Sequence, residues 1–315
     1  MANSPPLAAG IDLGSNTFRL LVARCNAGRL EPLEKKLVTV RLARGLTEDK
    51  FLREESLAKA FEVLACFRKT LDPYSIRHIR ICGTEALRTA RNSDVFLQKA
   101  HDIMDHPIEI ITSKEEAEYT LDGALSALKT ARPDTMLLVD VGGGSTELIL
   151  SQVFYDTRIW SIPIGAVSLT EQFLYEPRIT KAAVKKLQGS LVQSLQPALD
   201  ELKLPDNKKE TTLLGCGGTA TSMAALDLNL TQYDADLVQG HILQSGRIDS
   251  LWDQLSMLSV SERNRIPGLE DSRGEILPAG IRIYQVLLEL LGLKHMSVSD
   301  AGLLEGITSS AVSRH

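Results

Sequence analysis

The chain has 315 residues, of which 43% are hydrophobic and 24% are charged, and its formal net charge is −5. This length can hold two domains that each bury a core, and the composition is that of a soluble globular protein. The acidic balance and the absence of a basic block in the sequence argue against a nucleic-acid-binding protein, so a polyanionic substrate would need local arginines or a metal ion.

The sequence also indicates the cellular location that we expect for the protein. It has no run of 18 or more apolar residues and no basic, apolar leader, so we expect neither a membrane span nor a signal peptide. Its four cysteines stand singly, without a CxxC pair. We therefore expect buried free thiols in a reducing cytoplasm.

In chain order, the first part of the chain alternates predicted strands and helices. Residues 7–11 and 18–24 form a predicted β-hairpin, and residues 32–40 form a further strand. A helix is predicted from Thr47 to about residue 71, because apolar residues recur there at helical spacing and an Asp-Pro pair follows.

Two later segments of this region hold polar residues of interest. Thr84 is in position to cap a short helix that presents Arg88 and Arg91, three residues apart, on one face. A further helix begins at Ser113 with several acids in its first turns, among them Glu115 and Glu116. Acids at a helix start usually complement the helix dipole, and the residues alone favour that explanation for both glutamates.

The stretch Ala-Arg-Pro-Asp at residues 131–134 is the predicted boundary between two domains. We assign residues 1–132 to domain I and residues 133–300 to domain II. The last helix, at about residues 301–315, is expected to pack back onto domain I. Domain II begins with a second predicted hairpin and continues through a long helix capped by Thr180.

The second hairpin contains the stretch V-D-V-G-G-G-S-T-E-L-I-L at residues 139–150. An apolar strand delivers Asp140, and three glycines then form a turn whose exposed N–H groups can cradle a phosphate. Ser145 and Thr146 add hydroxyl donors, while Asp140 and Glu147 are hard oxygen ligands suited to Mg²⁺. On its own, this motif is equally consistent with a plain hairpin that has a polar tip.

The same pattern occurs 128 residues earlier, where residues 11–22 read I-D-L-G-S-N-T-F-R-L-L-V. A gapless alignment of the two stretches places Asp12 on Asp140 and Gly14 on Gly142. The spacing is longer than any solenoid period, and each copy occurs once. The sequence therefore predicts two similar lobes that face a shared cleft, which favours the phosphate interpretation.

A third glycine-rich turn, with Gly215, Gly217 and Gly218, leads from a predicted strand into a helix. A strand, a glycine turn and a helix N-terminus together form a ready site for an anion or a nucleotide. The spacing is not G-x-G-x-x-G, and no acid follows at the distance that a dinucleotide-binding fold requires, so we exclude that fold.

Together these motifs resemble a known family. Two D-x-G hairpins followed by a Gly-Gly-Thr turn look like the actin/hsp70/sugar-kinase superfamily. More narrowly, the chain resembles the short two-domain form of the exopolyphosphatase / guanosine pentaphosphate phosphohydrolase (Ppx/GppA) phosphatase family. The similar motifs, in order, are I-D-L-G-S-N-T-F-R-L-L-V, R-L-A-R-G-L, G-T-E-A-L-R-T-A-R-N, S-K-E-E-A, V-D-V-G-G-G-S-T-E-L, P-I-G-A-V-S-L-T-E, L-G-C-G-G-T-A-T, P-G-L and S-D-A-G-L-L-E-G. They span nearly the whole chain.

The resemblance implies an α/β fold of two actin-like (ribonuclease H-like) domains, each a mixed sheet flanked by helices, with the active site in the cleft between them. It implies a cytoplasmic exopolyphosphatase that hydrolyses the terminal phosphoanhydride of inorganic polyphosphate and releases orthophosphate, with Mg²⁺ or Mn²⁺ as cofactor. It also suggests a homodimer. We expect neither nucleic acid nor a membrane as a partner.

The resemblance further implies a role for individual residues. Glu116, the second acid of E-E-A, would be the general base on the attacking water, which overturns the helix-dipole explanation for that residue. Arg88 would grip the terminal phosphoryl group, and Glu147 would be a second catalytic or metal-binding carboxylate. Asp12 and Asp140 would bind Mg²⁺ directly or through water. The implied phosphate-loop residues are Gly14, Ser15, Asn16 and Thr17 in the first loop and Gly142, Gly143, Gly144, Ser145 and Thr146 in the second. The third turn, with Gly215, Gly217, Gly218 and Thr219, would hold a nucleotide base or line the cleft.

The chain departs from the family pattern in places. Ser113-Lys114 replaces the glycine that usually precedes the E-E pair, and Glu118 is an extra acid that would repel a polyanion unless it faces away. Arg44 stands where a glutamate is frequent and could add a phosphate contact. Larger members have additional C-terminal helical domains, for which 315 residues leave no room. We therefore expect less processivity and a preference for short polyphosphate.

Three alternatives to an exopolyphosphatase stay open at this point. Guanosine pentaphosphate, which is converted to the tetraphosphate in the stringent response, also ends in a phosphoanhydride, and no motif separates the two substrates. A kinase of the actin-like superfamily is disfavoured because the E-E-A motif and the Arg88 segment are not sugar-kinase features. A non-catalytic sensor of alarmone or polyphosphate is disfavoured because Glu116, Glu147 and Arg88 are all present.

Overall fold

The computed structural model describes residues 5–26, 29–176, 178–205, 207, 210–270 and 273–313. The chain divides into two compact units. Unit 1 consists of Met1–Ser126 together with Ala301–His315, and unit 2 consists of Ala127–Asp300.

Unit 1 is built on a five-stranded mixed sheet in the order β3-β2-β1-β4-β5. Strands β1, β2 and β3 are antiparallel neighbours, whereas β4 and β5 run parallel to β1. The described elements of unit 1 are β1 (Leu7–Leu13), β2 (Thr17–Asn26), β3 (Arg29–Thr39), α1 (Leu46–Asp49), α2 (Glu54–Leu71), a 3-10 turn (Asp72–Tyr74), β4 (His78–Gly83), α3 (Glu85–Thr89), α4 (Ser93–Met104), β5 (Ile108–Ile110), α5 (Ser113–Ser126) and α13 (Leu303–Ser313).

The two faces of this sheet pack against different helices. Along β1, alternate residues Ala9, Ile11 and Leu13 join the core that α2 and α4 cover, since successive strand side chains point to opposite faces. The other face, which includes Asp12, packs under α5 and α13. Helices α5 and α13 can approach closely because Gly123 has no Cβ, which would otherwise overlap the backbone at Gly302 and Gly306.

The single helix predicted from Thr47 to residue 71 is wrong. Helix α1 ends at Asp49 because Lys50 adopts the left-handed conformation with φ of 64°, and α2 begins only at Glu54. The side chain of Arg53 holds this break, since its guanidinium donates to the Asp49 carboxylate at 2.9 Å. The apolar period of the helix gave no sign of this interruption.

The short helix predicted to present Arg88 and Arg91 on one face is also shorter than expected. Helix α3 ends at Thr89, because Ala90 is extended. Arg91 therefore lies outside the helix, where its backbone N–H donates to the Lys50 carbonyl at 2.8 Å.

Unit 2 is built on a six-stranded mixed sheet in the order β10-β11-β9-β6-β7-β8. Strands β6, β7 and β8 are antiparallel neighbours, while β9 runs parallel to β6. The described elements are β6 (Thr135–Val141), β7 (Thr146–Gln152), β8 (Tyr155–Ile162), α6 (Ala166–Phe173), α7 (Lys181–Leu202), β9 (Thr212–Cys216), α8 (Gly217–Asp227), α9 (Ala235–Val238), β10 (Ile242–Gln244), α10 (Ser245–Met257), α11 (Val260–Arg263), α12 (Arg273–Leu291) and β11 (His295–Val298).

The core of unit 2 fixes the end of β6, where Asp140 lies. Helix α7 buries Leu187, Leu191 and Leu195 at a spacing of four residues, which is one face of a helix. Tyr284 of α12 is fully buried, and its hydroxyl donates to the Val139 carbonyl at 3.0 Å. Burial raises the pKa of Tyr284 well above its ordinary value, so the hydroxyl stays a donor.

The predicted fold class, mixed α/β with two mixed sheets flanked by helices, is confirmed. Both predicted D-x-G hairpins form, and the third glycine turn does lead from a strand into a helix. Cys82 and Cys216 are buried as expected, but Cys66 is exposed. None of the helices in the described ranges is long and apolar enough to cross a membrane.

Candidate active site

The two D-x-G hairpins have the same turn geometry. In unit 1 the N–H of Gly14 donates to the Thr17 carbonyl at 3.1 Å, and in unit 2 the N–H of Gly142 donates to the Ser145 carbonyl at 3.0 Å. Each turn therefore has a two-residue loop that closes an antiparallel strand pair. The gapless alignment of the two sequences corresponds to an equivalence in three dimensions.

The loop of unit 1 is held from one side by the segment after β3. The Ser15 carbonyl accepts from the Ala43 N–H at 2.9 Å, and the Asn16 carbonyl accepts from the N–H groups of Val40 and Arg41 at 2.9 and 2.8 Å. In a trans peptide the C=O and N–H point in opposite directions. The N–H of Asn16 therefore faces away from this segment, on the side where an anion could approach.

The loop of unit 2 is held in the same way by the start of α6. The Gly142 carbonyl accepts from the Ala166 N–H at 2.9 Å, and the Gly143 carbonyl accepts from the Val167 N–H at 2.8 Å. The N–H groups of Gly143 and Gly144 consequently face away from α6. A Cβ at Gly165 would lie only 2.5 Å from the carbonyl carbon of Gly143, so this close support requires glycine at position 165.

The hydroxyls predicted to contact phosphate in the second loop are enclosed. Ser145 is 3% exposed and Thr146 is fully buried. The Thr146 hydroxyl donates to the Ile164 carbonyl at 2.7 Å, so it ties β7 to the segment that precedes α6. In this loop the backbone N–H groups are the donors that point outward.

Asp12 is a buried carboxylate with one oxygen engaged. Arg19, its partner across the β1–β2 pair, places Nη2 at 2.6 Å and Nε at 2.8 Å from Oδ2. The other oxygen, Oδ1, is buried and has no hydrogen-bond partner among the described atoms. Burial raises the pKa of Asp12, while the Arg19 guanidinium lowers it, and the net shift is upward.

Asp140 and Glu147 occupy the equivalent positions in unit 2, where they are partners across β6 and β7. Directly opposite residues share one face of the sheet, with Cβ atoms about 5 Å apart. Both residues are buried, at 9% and 2% exposure, and the Ser161 hydroxyl donates to Glu147 Oε1 at 2.9 Å. Asp140 Oδ1 occupies the space that a side chain at Gly217 would fill.

Arg88 and Glu116 form a second buried cluster in unit 1. Arg88 Nη1 donates to Glu116 Oε2 at 2.7 Å and to the Ile111 carbonyl at 2.8 Å, while Nη2 and Nε donate to Glu85 Oε2 at 2.8 and 3.2 Å. Burial lowers the pKa of Arg88, but the Glu116 and Glu85 carboxylates raise it more, so the net shift is upward. Arg88 already forms an ion pair with Glu116, and it would have to exchange a bond to grip a phosphoryl group.

The neighbouring glutamates of α5 have different surroundings. Glu115 accepts from the N–H and hydroxyl of Thr112 at 2.9 Å, and the Thr112 hydroxyl accepts from the Glu115 N–H at 3.2 Å. This reciprocal pair is a capping box, so the helix-start explanation applies to Glu115 and not to Glu116. Glu118 is exposed, and two residues of helix turn it about 200° away from Glu116.

The third glycine turn holds a residue that the sequence analysis did not select. Arg273, 7% exposed, packs its guanidinium against Gly218 at the start of α8 and donates from Nη2 to Glu270 at 3.0 Å. Gly217 has φ of 75°, and Gly280 of α12 lies against Thr219. These contacts place a buried cation directly on the turn.

Arg19, Ser161 and Glu85 were also missed, although signals for two of them existed. The gapless alignment puts Arg19 at the position of Glu147, and a two-residue loop fixes which residues lie opposite each other. Glu85 precedes Arg88 by three residues, which is a standard helical ion-pair spacing. No comparable short-range signal identified Arg273.

The carboxylates fit a hard divalent cation better than they fit zinc. In the described ranges no group of three or more His, Cys, Asp or Glu side chains is arranged to hold a metal ion. Asp140 with Glu147, and the unpartnered Oδ1 of Asp12, offer only oxygen ligands. One or two carboxylates, with the rest of the shell left to water and substrate phosphate, is the usual protein contribution to a Mg²⁺ site.

Comparison with known proteins places these features in a family. The model of the Ppx/GppA phosphatase family matches residues 21–315. A protein of Vibrio vulnificus named guanosine-5'-triphosphate,3'-diphosphate pyrophosphatase is 33% identical over 99% of this chain and 60% of its own length. The chain therefore spans about 60% of the length of the curated relatives it matches.

Solved structures agree over the full chain. The Aquifex aeolicus member of the Ppx/GppA family is 32% identical, with a TM-score of 0.80 over 98% of each chain. A structure described as an exopolyphosphatase-like protein is 26% identical, with a TM-score of 0.89 over 97% of each chain. On the strength of the family match and of the shared fold, this chain belongs to the Ppx/GppA phosphatase family.

Proposed function

We propose that the chain is a phosphoanhydride hydrolase that releases orthophosphate from the end of inorganic polyphosphate. The observation that carries the proposal is the buried Glu116 carboxylate, held by Arg88 at 2.7 Å at the start of α5. A carboxylate that is fixed and ionised at neutral pH meets the requirements of a general base. Family membership supports the same class of reaction.

In the proposed reaction, the carboxylate of Glu116 accepts a proton from the attacking water. The water oxygen bonds to the terminal phosphorus as the bond from that phosphorus to the bridging oxygen breaks. The bridging oxygen leaves on the shortened chain with the electron pair, and orthophosphate is released. Most of the catalytic effect in such reactions comes from positioning the water and offsetting phosphate charge.

The outward-facing N–H groups of Asn16, Gly143 and Gly144 are the proposed phosphate donors. Their direction follows from the carbonyl bonds behind each loop, so they are oriented before any ligand arrives. Arg88 supports Glu116 and, by exchanging one bond, would contact the terminal phosphoryl group. We assign Arg273 to the substrate contacts at the third glycine turn.

A divalent cation, Mg²⁺ or Mn²⁺, is proposed at Asp140 and Glu147. When bound, it would neutralise charge on the phosphate oxygens. Asp12 is the weaker candidate ligand, because Arg19 already occupies its Oδ2 and leaves only Oδ1. A homodimer and a cytoplasmic location stay predictions of the family resemblance.

A second candidate substrate is the guanosine nucleotide that the relatives are named for. Guanosine-5'-triphosphate,3'-diphosphate carries a terminal phosphoanhydride like that of polyphosphate, and a relative with 33% identity bears its name. The third glycine turn, with Arg273 beside it, is where we would expect such a nucleotide to make contacts that polyphosphate does not make.

The test is orthophosphate release with Mg²⁺ from short polyphosphate, long polyphosphate, guanosine pentaphosphate and ATP, assayed in parallel. We expect Glu116→Gln to lower the rate on the preferred substrate by about 100-fold or more, the usual contribution of a general base. Glu115→Gln is the matched control, because it removes the adjacent carboxylate, which caps α5.

The outcomes separate the candidates. Equal losses in the two variants would contradict a special role for Glu116. A requirement for an acceptor hydroxyl would indicate a kinase, and tight binding without release would indicate a sensor. Similar rates on short and long polyphosphate would contradict the expected preference for short chains.

A further inference from the structure

Unit 2 contains a cavity lined by polar and apolar side chains, apart from the glycine turns. It has a volume of about 510 Å³ and lies among α7, α10 and α12. Arg282, which lines it, is nine residues beyond Arg273 on α12, which corresponds to about 13 Å along the helix. Its lining includes the side chains of Lys181, Lys185, Gln188, Trp252, Asp253 and Arg282.

The cavity is lined by three cations and one carboxylate. Lys181 and Lys185 are one turn apart on α7, so both are on one face, and Arg282 reaches the cavity from α12. Asp253 of α10 is the single acid in the lining. Within the part of the chain that the structure describes, none of the three cations forms an ion pair.

Arg282 is fixed in place by neutral groups. Its Nη1 donates to Gln285 Oε1 at 2.6 Å and its Nη2 donates to Gln188 Oε1, while the guanidinium lies over the Trp252 ring with its carbon 5.0 Å from the centroid. Its Nε is buried and has no hydrogen-bond partner among the described atoms. The guanidinium is therefore held rigidly, although only two of its five N–H donors take part in these hydrogen bonds.

Two nearby acids, Asp249 and Glu289, are each separated from Arg282 by a glutamine side chain. Gln285 donates to Asp249 at 2.6 Å, so an amide stands between that carboxylate and the guanidinium. Burial lowers the pKa of Arg282, while Glu289, Asp249 and Asp253 raise it, and the net shift is downward. An arginine nevertheless stays charged at neutral pH, so its charge persists without a direct counter-ion.

Four other partly buried arginines show a different solution, whereas Arg263, which is 2% exposed and donates to the Leu255 carbonyl, resembles Arg282. Arg19, Arg80, Arg88 and Arg273 each pair with a carboxylate at 3.0 Å or less. A half-buried cation that bonds only amides has lost hydration without gaining an opposite charge. An anion in the cavity would supply that charge.

We propose that this cavity binds a phosphate-bearing anion. Two lysines and the positive charge of Arg282 match an anion with two or more charges, and the net charge of the lining is positive even with Asp253 counted. A volume of about 510 Å³ falls within the usual range for small-molecule sites. The phosphate could belong to an inorganic oligophosphate or to a nucleotide, and the two arms of the experiment distinguish these sources.

The experiment uses the fluorescence of Trp252, which contacts Arg282. The sequence has two tryptophans, so Trp160→Phe leaves Trp252 as the single reporter. Inorganic tripolyphosphate in one arm and guanosine diphosphate in the other are titrated with EDTA present, which keeps divalent cations from interfering. We expect a saturable change in Trp252 emission in at least one arm.

The matched pair of variants is Lys185→Gln and Lys186→Gln in the Trp160→Phe background. Both remove one positive charge from adjacent exposed positions of α7, but only Lys185 lines the cavity. We expect Lys185→Gln to weaken binding about tenfold and Lys186→Gln to weaken it less than twofold. Isothermal titration of the unaltered chain with the same probes checks that Trp160→Phe has not disturbed the cavity.

Two results would overturn the proposal: no saturable response in either arm, or equal weakening by the two lysine variants. Since neither arm requires turnover, a negative result here leaves the proposed hydrolase untouched. Conversely, an inactive protein could still give the expected titration.

Discussion

The hairpin of unit 1 places Arg19 opposite Asp12, whereas the hairpin of unit 2 places Glu147 opposite Asp140. The backbones of the two turns are otherwise alike, with the same glycine-to-carbonyl hydrogen bond at 3.1 and 3.0 Å. In unit 1 the aspartate is paired within the protein at 2.6 Å. In unit 2 two carboxylates share one face of the sheet.

This difference assigns different tasks to two copies of one motif. Two adjacent carboxylates repel each other unless a cation or donor stands nearby, so the unit 2 pair is the better metal site. The Asp12–Arg19 ion pair of unit 1 has no net charge, and Asp12 is better placed to orient Arg19 and the β1–β2 turn. Both loops keep outward N–H groups, which suit an anion. Only the unit 2 hairpin, with its two carboxylates, is also suited to a cation.

The largest expected effect comes from breaking the unit 2 pair. Glu147→Gln removes one of the two charges that we assign to the cation, and we expect Mg²⁺-dependent orthophosphate release to fall about 100-fold or more. The measurement is the rate as a function of Mg²⁺ concentration. Glu201→Gln, which removes an exposed acid of α7, is the control. An unchanged rate and Mg²⁺ requirement in Glu147→Gln would rule out this assignment.

Breaking the unit 1 pair should instead affect stability. Arg19→Met leaves Asp12 buried without its partner, so we expect the free energy of unfolding at pH 7 to fall by about 2–4 kcal/mol. The measurement is urea denaturation, and the double variant Arg19→Met/Asp12→Asn should recover most of the loss because no buried charge remains.

The stability loss caused by Arg19→Met should depend on pH. The pKa of Asp12 is raised in the folded protein by burial, and removing Arg19, which lowers it, raises it further. The folded state then binds a proton more readily than the unfolded state, so stability falls as pH rises through that pKa. The deficit of Arg19→Met should therefore shrink as pH is lowered from 7 toward 5. A deficit that is constant with pH would show that lost packing, and not the buried charge, is responsible.

Gly165, which packs behind the second loop, provides a third test. A Cβ at position 165 would lie 2.5 Å from the backbone of Gly143, so Gly165→Ala must displace the loop or the start of α6. We expect a loss of about 1–3 kcal/mol in the free energy of unfolding, as for overpacked sites, with lower activity because the N–H groups shift. Thermal denaturation and the rate assay measure the two effects.

Gly189→Ala is the matched control for that substitution. Gly189 lies inside α7 and nothing comes within 4 Å of a Cβ built there. We expect a gain of about 0.5–1 kcal/mol, because alanine loses less backbone entropy than glycine in a helix. Destabilisation by both variants would mean that the contact with Gly143 is not the cause.

The parts of the fold that the sequence predicted well are those with local determinants. Both hairpins follow from an apolar strand, a small-residue turn and a second apolar strand, and a two-residue loop fixes the register. The Asp12–Arg19 pair was therefore predictable from residue order alone. The break at Lys50 was not, because a single left-handed residue leaves the apolar period intact.

The candidate site depended more on contacts between distant residues. Arg88 and Glu116 are 28 residues apart, and only the parallel pairing of β4 with β5 brings α3 to the start of α5. The sequence identified both residues but assigned Arg88 to phosphate alone. Arg273 packs on Gly218 from 55 residues away, and no spacing rule connects them.

The smallest effect comes from the donor next to the unit 2 pair. The Ser161 hydroxyl donates to Glu147 Oε1 at 2.9 Å, while Glu147 holds the cation in our proposal. Groups that orient a metal ligand typically contribute about tenfold or more in affinity, so we expect Ser161→Ala to raise the Mg²⁺ concentration for half-maximal rate by about 3–10-fold. At saturating Mg²⁺ the rate should return to near that of the unaltered chain, because the carboxylate remains.

Thr157→Ala, an exposed hydroxyl on the same strand, controls for general effects on β8. If Ser161→Ala instead lowers the rate at every Mg²⁺ concentration, Glu147 acts on the substrate and not on the cation. The acid opposite Asp140 would then be a second catalytic group, at the position where the unit 1 hairpin has an ion pair.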